Sequence, residues 1–177
     1  PMLNVGGMRL LKAETPGPIK NEKLAPRVAS TSRYLWLVYL CLTIGCAGSY
    51  WLAGMSPFDA IAHSLTTVST GGFSPYDASM GHFQQPIILI VADVFMILGA
   101  ISFALHHKVF TARAISGYWQ DEETRWFLIA LAVFSVILTA LAFNAQTHHS
   151  FWESLNQAVF HVVSFMTSTG YGADDLS

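Results

Sequence analysis

Lysine and arginine occur in only two regions of this chain, and that restricts what it can become more than anything else in it. Arg9, Lys12, Lys20, Lys23, Arg27 and Arg33 form one group, and Lys108, Arg113 and Arg125 the other; residues 34–107 and 126–177 carry neither. Within those cation-free stretches lie three apolar runs, at 34–53, 86–105 and 126–143. About 20 residues at ~1.5 Å of helical rise cross the ~30 Å hydrocarbon layer of a bilayer. Charged residues make up 11% of the 177, whereas soluble domains carry about 25%. The runs are therefore read as membrane spans, the third with Trp126 as an interfacial anchor. Cys41 and Cys46 lie within the first run on different sides of a helix; they read as packing thiols, with no disulfide and no metal.

Two further apolar stretches, Pro57–Val68 and about 152–166, are too short to cross and read as re-entrant or interfacial helices. Ser56-Pro57 supplies an N-cap with proline at the first helical position, and Ser150 precedes the second stretch. Each stretch runs into a hydroxyl-rich segment ending in glycine and an aromatic: Thr66 to Ser74 in the first, Ser164 to Gly172 in the second. A shift of 98 residues takes Ala60 to Ala158, His63 to His161, Thr66 to Ser164, Gly72 to Gly170, Phe73 to Tyr171 and Asp77 to Asp175. Repetition on this scale implies duplicated span–loop–span units. The division is 1–33 cytoplasmic loop, 34–105 complete unit, 106–125 cytoplasmic linker and 126–177 first half of the next unit. The expected fold class is an all-α membrane protein built from repeats of span, re-entrant pore helix, filter loop and span, as in potassium channels.

The chemistry of the repeated loops is that of a cation path. A dehydrated monovalent cation needs several oxygens around it, and irregular backbone at membrane depth is tolerated only where it lines a cavity or is buried in protein. Each short helix would aim its C-terminal partial charge of about −0.5 at that cavity. Gly72 and Gly170 would adopt backbone angles that residues with a Cβ resist, turning carbonyls inward to replace the ion's water. The candidate filter comprises Thr70, Gly71, Gly72 and Phe73 with Ser168, Thr169, Gly170 and Tyr171, the two aromatics packing behind as a cuff. Basic loops stay in the cytoplasm, which puts both glycine loops on the outer side. Asp77, Asp174 and Asp175 would then form an acidic outer mouth that gathers cations.

The stretch Thr67-Val68-Ser69-Thr70-Gly71-Gly72-Phe73-Ser74-Pro75-Tyr76-Asp77-Ala78-Ser79-Met80 resembles the second filter loop of the TrkH family of bacterial potassium-uptake proteins, relatives of the KtrB and fungal and plant Trk/HKT transporters. Gly6-Gly7-Met8 through Ala13-Glu14-Thr15-Pro16-Gly17-Pro18 is similar to the loop before that family's second repeat, and the run from Asp121 to Arg125 to the one before its third. The resemblance covers essentially the whole chain. It implies a four-repeat protein of which this piece supplies the second repeat and the first half of the third. Gly72 and Gly170 take the place of the central filter glycine, and Ser74 in the last filter position is ordinary for the family. What it further implies is potassium uptake in the bacterial plasma (inner) membrane by a multi-pass protein in contact with lipid. A homodimer of full-length chains and a cytosolic nucleotide-binding, TrkA-like regulatory subunit are its implied partners. No enzyme activity, no cofactor beyond the transported potassium and no nucleic acid are expected. The gating helix of the third repeat and a pore cation of the fourth would lie beyond Ser177.

Two readings compete. A non-conducting membrane scaffold or regulatory subunit would have kept the repeat without the pore, although both glycines and both hydroxyl runs are intact. The pairs His106-His107 and His148-His149 invite comparison with membrane di-iron oxygenases, but the topology separates them and no further histidines follow at helical spacing. Asp93 falls in mid-span, facing the pore or a neighbouring helix or staying protonated in a buried hydrogen bond, and a structural role is the favoured reading. His63 and His161, at matching places, are read as hydrogen-bonding residues that fix the short helices in preference to a ligand role.

Overall fold

The computed structural model describes residues 28–83, 85–144 and 151–173, and among them every regular element is a helix. In chain order these are α1 (Val28–Leu52), α2 (Pro57–Val68), a 3₁₀ turn (Ser79–His82), α3 (Pro86–Ala100), α4 (Phe103–Ala112), α5 (Ser116–Gln120), α6 (Glu122–Asn144) and α7 (Phe151–Met166). The described residues from Arg33 onward form one compact unit.

α1 and α6 are each long and apolar enough to cross a membrane. Both are apolar almost all round, the pattern of a helix with no water-facing side. Trp36, Ile44, Trp51 and Leu52 on α1 stay exposed, while Thr43, Cys46 and Tyr50 form a buried stripe at spacings of three and four. Cys41 and Cys46 are both free thiols, one exposed and one buried. Asp121 caps α6, its Oδ2 accepting from the Thr124 amide (2.9 Å) and hydroxyl (2.7 Å). Glu122 and Glu123 add negative charge to the first turn, where the helix dipole favours it.

α7 packs against α6 and α3, and α3 against α2. Their shared core includes Tyr50, Met80, Ile88, Met96, Phe160 and Tyr171. α2 opens on Ser56, whose hydroxyl accepts from the Asp59 amide at 3.1 Å, followed by proline at the helix start. α3 approaches the end of α2 so closely that a Cβ on Gly99 would stand 2.6 Å from the Val68 carbonyl oxygen.

Sequence pattern carries the second span to Leu105, but the helix stops at Ala100. Ile101 and Ser102 are extended, and α4 leaves at 94° to α3. Neither proline nor glycine sits at the break. Instead His106 bridges it: Nε2 donates to the Leu98 carbonyl (2.8 Å) that the break leaves free, and Nδ1 accepts from the Tyr118 hydroxyl on α5 (2.8 Å). That pairing assigns the tautomer. The linker is helical as well, as α4 and α5.

Candidate functional site

Both short helices end on the hydroxyl runs, and the chain that leaves them repeats its path bond for bond. After α2, the amides of Ser69 and Thr70 donate to the Leu65 and Thr67 carbonyls, and those of Gly71 and Gly72 both donate to Thr66 O, at 2.8 and 3.3 Å. After α7, the amides of Thr167 and Ser168 donate to Val163 and Phe165, and those of Thr169 and Gly170 both donate to Ser164 O, at 2.9 and 3.3 Å. Every member of the second set is the first shifted by 98. Side chains follow suit: Thr66 Oγ1 donates to Phe73 O and Ser164 Oγ to Tyr171 O, each at 2.9 Å.

This pattern fixes where the carbonyls go. In a trans peptide the C=O points opposite to the N–H of the next residue, and the chain has no cis bond among its described residues. With the amides of Gly71 and Gly72 tied to the helix end, the carbonyls of Thr70 and Gly71 are directed away from it. By the same reasoning so are those of Ser168 and Thr169. The path requires left-handed backbone at matched positions, φ 50° at Thr70 and 58° at Ser168, then 66° at Gly72 and 82° at Gly170. Glycine adopts this region freely; other residues do so at a cost.

The two loops meet. A Cβ placed on Gly72 would overlap the Thr169 carbonyl oxygen and reach within 3.4 Å of the Gly170 carbonyl carbon. The structure therefore brings together all eight sequence-predicted filter residues, in two adjoining loops at the ends of two helices. Their aromatics differ: Tyr171 is 3% exposed, beneath the neighbouring loop, whereas Phe73 is 76% exposed. Asp77 is exposed in the loop after the first run; Asp174 and Asp175 lie outside the described residues.

His63 takes a supporting role. Fully buried, it hydrogen-bonds through Nδ1 to Asp59 O (2.9 Å) and through Nε2 to Ser74 Oγ (3.1 Å), tying the exit of the first loop to α2. The sequence reading missed Asp59 and Tyr76. Asp59 accepts from Ser56 Oγ (2.7 Å) and from the Tyr76 hydroxyl (3.0 Å), and this bond holds the Tyr76 phenol above its ordinary pKa. Tyr76 stacks on His82 at 3.7 Å, which closes the outer loop over α2. The signal was present: an acid three residues after a serine cap is a capping pattern. Tyr50 and Asp93 are also buried here, Asp93 Oδ1 having no hydrogen-bond partner. Of the histidine pairs, His106 clasps the bend and His107 packs on Tyr34; the other pair lies outside the described residues. No cluster of three or more metal-ligating side chains occurs among the described residues.

The profile of the TrkH family, described as cation transport protein, matches residues 1–177. The chain belongs to the TrkH family. It is 41% identical over its whole length to the Trk system potassium uptake protein TrkH of Salmonella typhimurium, of which it covers 37%. To the Trk system potassium uptake protein TrkG of Escherichia coli it is 40% identical, covering 99% of this chain and 36% of that one. The crystal structure of the potassium transporter TrkH from Vibrio parahaemolyticus superposes with a TM-score of 0.82 at 38% identity, over 85% of this chain and 33% of that one. The chain thus spans about a third of the length of these TrkH-family relatives. Membership agrees with the apolar helices: this is part of a multi-pass protein of the bacterial inner membrane.

Proposed function

We propose that the protein containing this chain takes up potassium through a carbonyl-lined filter, and that Thr70, Gly71, Gly72, Phe73, Ser168, Thr169, Gly170 and Tyr171 line two of its sides. The observation that carries this reading is the pair of loops that share one hydrogen-bonding pattern at an offset of 98 and touch at Gly72 and Thr169. Their outward carbonyls supply what a desolvated alkali cation requires, and the ends of α2 and α7 add negative partial charge behind them. Relatives named as potassium uptake proteins agree. Transport, not catalysis, is the activity this arrangement serves. In this reading the basic linkers face the cytoplasm and Asp77 stands at the outer mouth, with the sequence adding the acids Asp174 and Asp175 after the second loop. The complete pore comprises four repeats, and the full-length protein works as a homodimer with a TrkA-like nucleotide-binding subunit on its cytoplasmic side.

The test uses the full-length gene in a strain deficient in potassium uptake. Wild type restores growth on low potassium. Gly72→Ser places a Cβ against the Thr169 carbonyl and strains a left-handed position, which costs on the order of 1–3 kcal/mol. The variant should transport with a potassium-to-sodium preference lowered by tenfold or more, since ~1.4 kcal/mol is a factor of ten. An unchanged preference would remove Gly72 from the filter, and failure of the wild-type gene to restore growth would favour the non-conducting scaffold.

A further inference from the structure

Thr66 grips the first loop on both sides of Gly72: its carbonyl holds the amides of Gly71 and Gly72, and its hydroxyl holds the carbonyl of Phe73. The hydroxyl of Thr66 is itself the end of a longer chain. It lies 2.5 Å from Tyr171 Oη, which lies 3.1 Å from Thr67 Oγ1, which lies 2.9 Å from Tyr50 Oη. Tyr50 and Thr67 are fully buried and Tyr171 is 3% exposed, so the two links among them are dry, while Thr66 at the loop end is half-buried.

Each hydroxyl has one proton to give. With Thr66 donating to Phe73 O, and Tyr171 donating to Thr66, the nearer of its two acceptors (the His63 carbonyl lies at 3.3 Å), Thr67 donates to Tyr171 and Tyr50 to Thr67. Every link then points the same way, from the first span to the loop, and aligned hydroxyl bonds in a low-dielectric interior strengthen one another. Three separate pieces of the molecule are joined: Tyr50 on α1, Thr66 and Thr67 on α2, and Tyr171 in the second loop. Phe73, the counterpart of Tyr171, has no hydroxyl and could not form this clasp at another junction.

We propose that Tyr50 is a positioning residue for ion selectivity, anchoring a one-way chain of hydroxyl hydrogen bonds through Thr67, Tyr171 and Thr66 that holds the first loop at its exit. The inference rests on the filter reading above. Sodium is smaller than potassium, so a ring of carbonyls must contract to hold it as well. A loop tied at its exit resists that contraction, and one whose tie has lost its outer anchor yields more readily.

Tyr50→Phe removes one oxygen and keeps the ring. In the full-length protein it should lower the potassium-to-sodium preference by about two- to tenfold, the range that one buried neutral hydrogen bond spans. The amount of protein in the membrane should stay near wild type. Thr67→Val should lower the preference similarly, and the double variant should be no worse than the poorer single one, because both cuts sever the same chain. Thr67→Ser, which keeps the hydroxyl, should restore the wild-type value. Gly72→Ser is measured alongside. A changed preference in Gly72→Ser with none in Tyr50→Phe or Thr67→Val overturns the Tyr50 assignment alone, and no change in any of the three overturns the filter with it. Additive losses in the double variant also overturn it. Should Tyr50→Phe fail to reach the membrane, Thr67→Val with its serine rescue decides the matter.

Discussion

Asp93 interrupts a 15-residue helix otherwise made of apolar and small residues, and it is only 7% exposed. A carboxylate at mid-span costs ~2.5–3.5 kcal/mol on insertion scales, so its presence asks for a reason. The hydrogen bonds around the two loops supply none. Thr66, Thr67, Ser164 and Tyr171 satisfy one another without it, and its own Oδ1 has no partner. Asp93→Asn keeps the shape and removes any charge. The potassium-to-sodium flux ratio of the full-length protein should stay at the wild-type value, with the protein inserted at least as well. A shifted ratio would put the carboxyl in the ion path. The sequence alone raised the question, because an acid in an apolar run stands out; it could not raise the corresponding one about Tyr50. One more aromatic in a run that includes Tyr34, Trp36, Tyr39 and Trp51 carries no mark of having a buried hydroxyl partner. That partner, Thr67, is 17 positions away, and only folding brings the two together.

Helix limits that depend on local chemistry were readable from the residues. Ser56-Pro57 starts α2 because a hydroxyl cap and a preset φ suit a first turn, and the run ends at Val68 where the hydroxyl residues take over. The repeat was legible too, since Thr66 and Ser164 each perform the same side-chain bond at the same offset. The bend between α3 and α4 was not, because what bridges it is His106 reaching Tyr118 on another helix. Gly99 belongs to the same class. Its sequence neighbours give no hint that the end of α2 passes against it, yet a Cβ there would be 2.6 Å from main-chain oxygen, which cannot swing aside. Gly99→Ala should therefore push α3 off α2 and destabilise the full-length protein by about 1–3 kcal/mol, the usual cost of overpacking. Gly48, on α1, has nothing within 4 Å of such a Cβ. Gly48→Ala should be neutral or stabilise by up to ~1 kcal/mol through helix propensity. Thermal unfolding of the two purified variants in one detergent checks both signs. Equal midpoints would mean that the close approach of α3 to α2 does not constrain the fold.

Across the whole chain, exposure reports what is covered and what is not. Tyr171 and Phe73 occupy equivalent places, but α2 with its loop lies against Tyr171, and no described residue lies against Phe73 in the same way. Phe58, Ile61 and Leu65 form an exposed apolar stripe on α2 at spacings of three and four, on the opposite side from its buried His63 and Thr67. On the four-repeat reading proposed above, a preceding unit would cover that stripe and Phe73 together, as the loop after α7 covers the other side. On that reading two loops supply only part of the ring of carbonyls, and an ion there would keep much of its water. Residues 1–177 alone, reconstituted in potassium-loaded vesicles, should therefore release no more potassium than empty vesicles do, while the full-length protein releases it readily. Flux from the short chain would mean either that several copies assemble into a ring or that two loops suffice. Cross-linking in the same vesicles separates the two, because only the first requires higher oligomers. A silent short chain beside an active full-length protein would show that the missing sides of the ring are what the ion needs to shed its water.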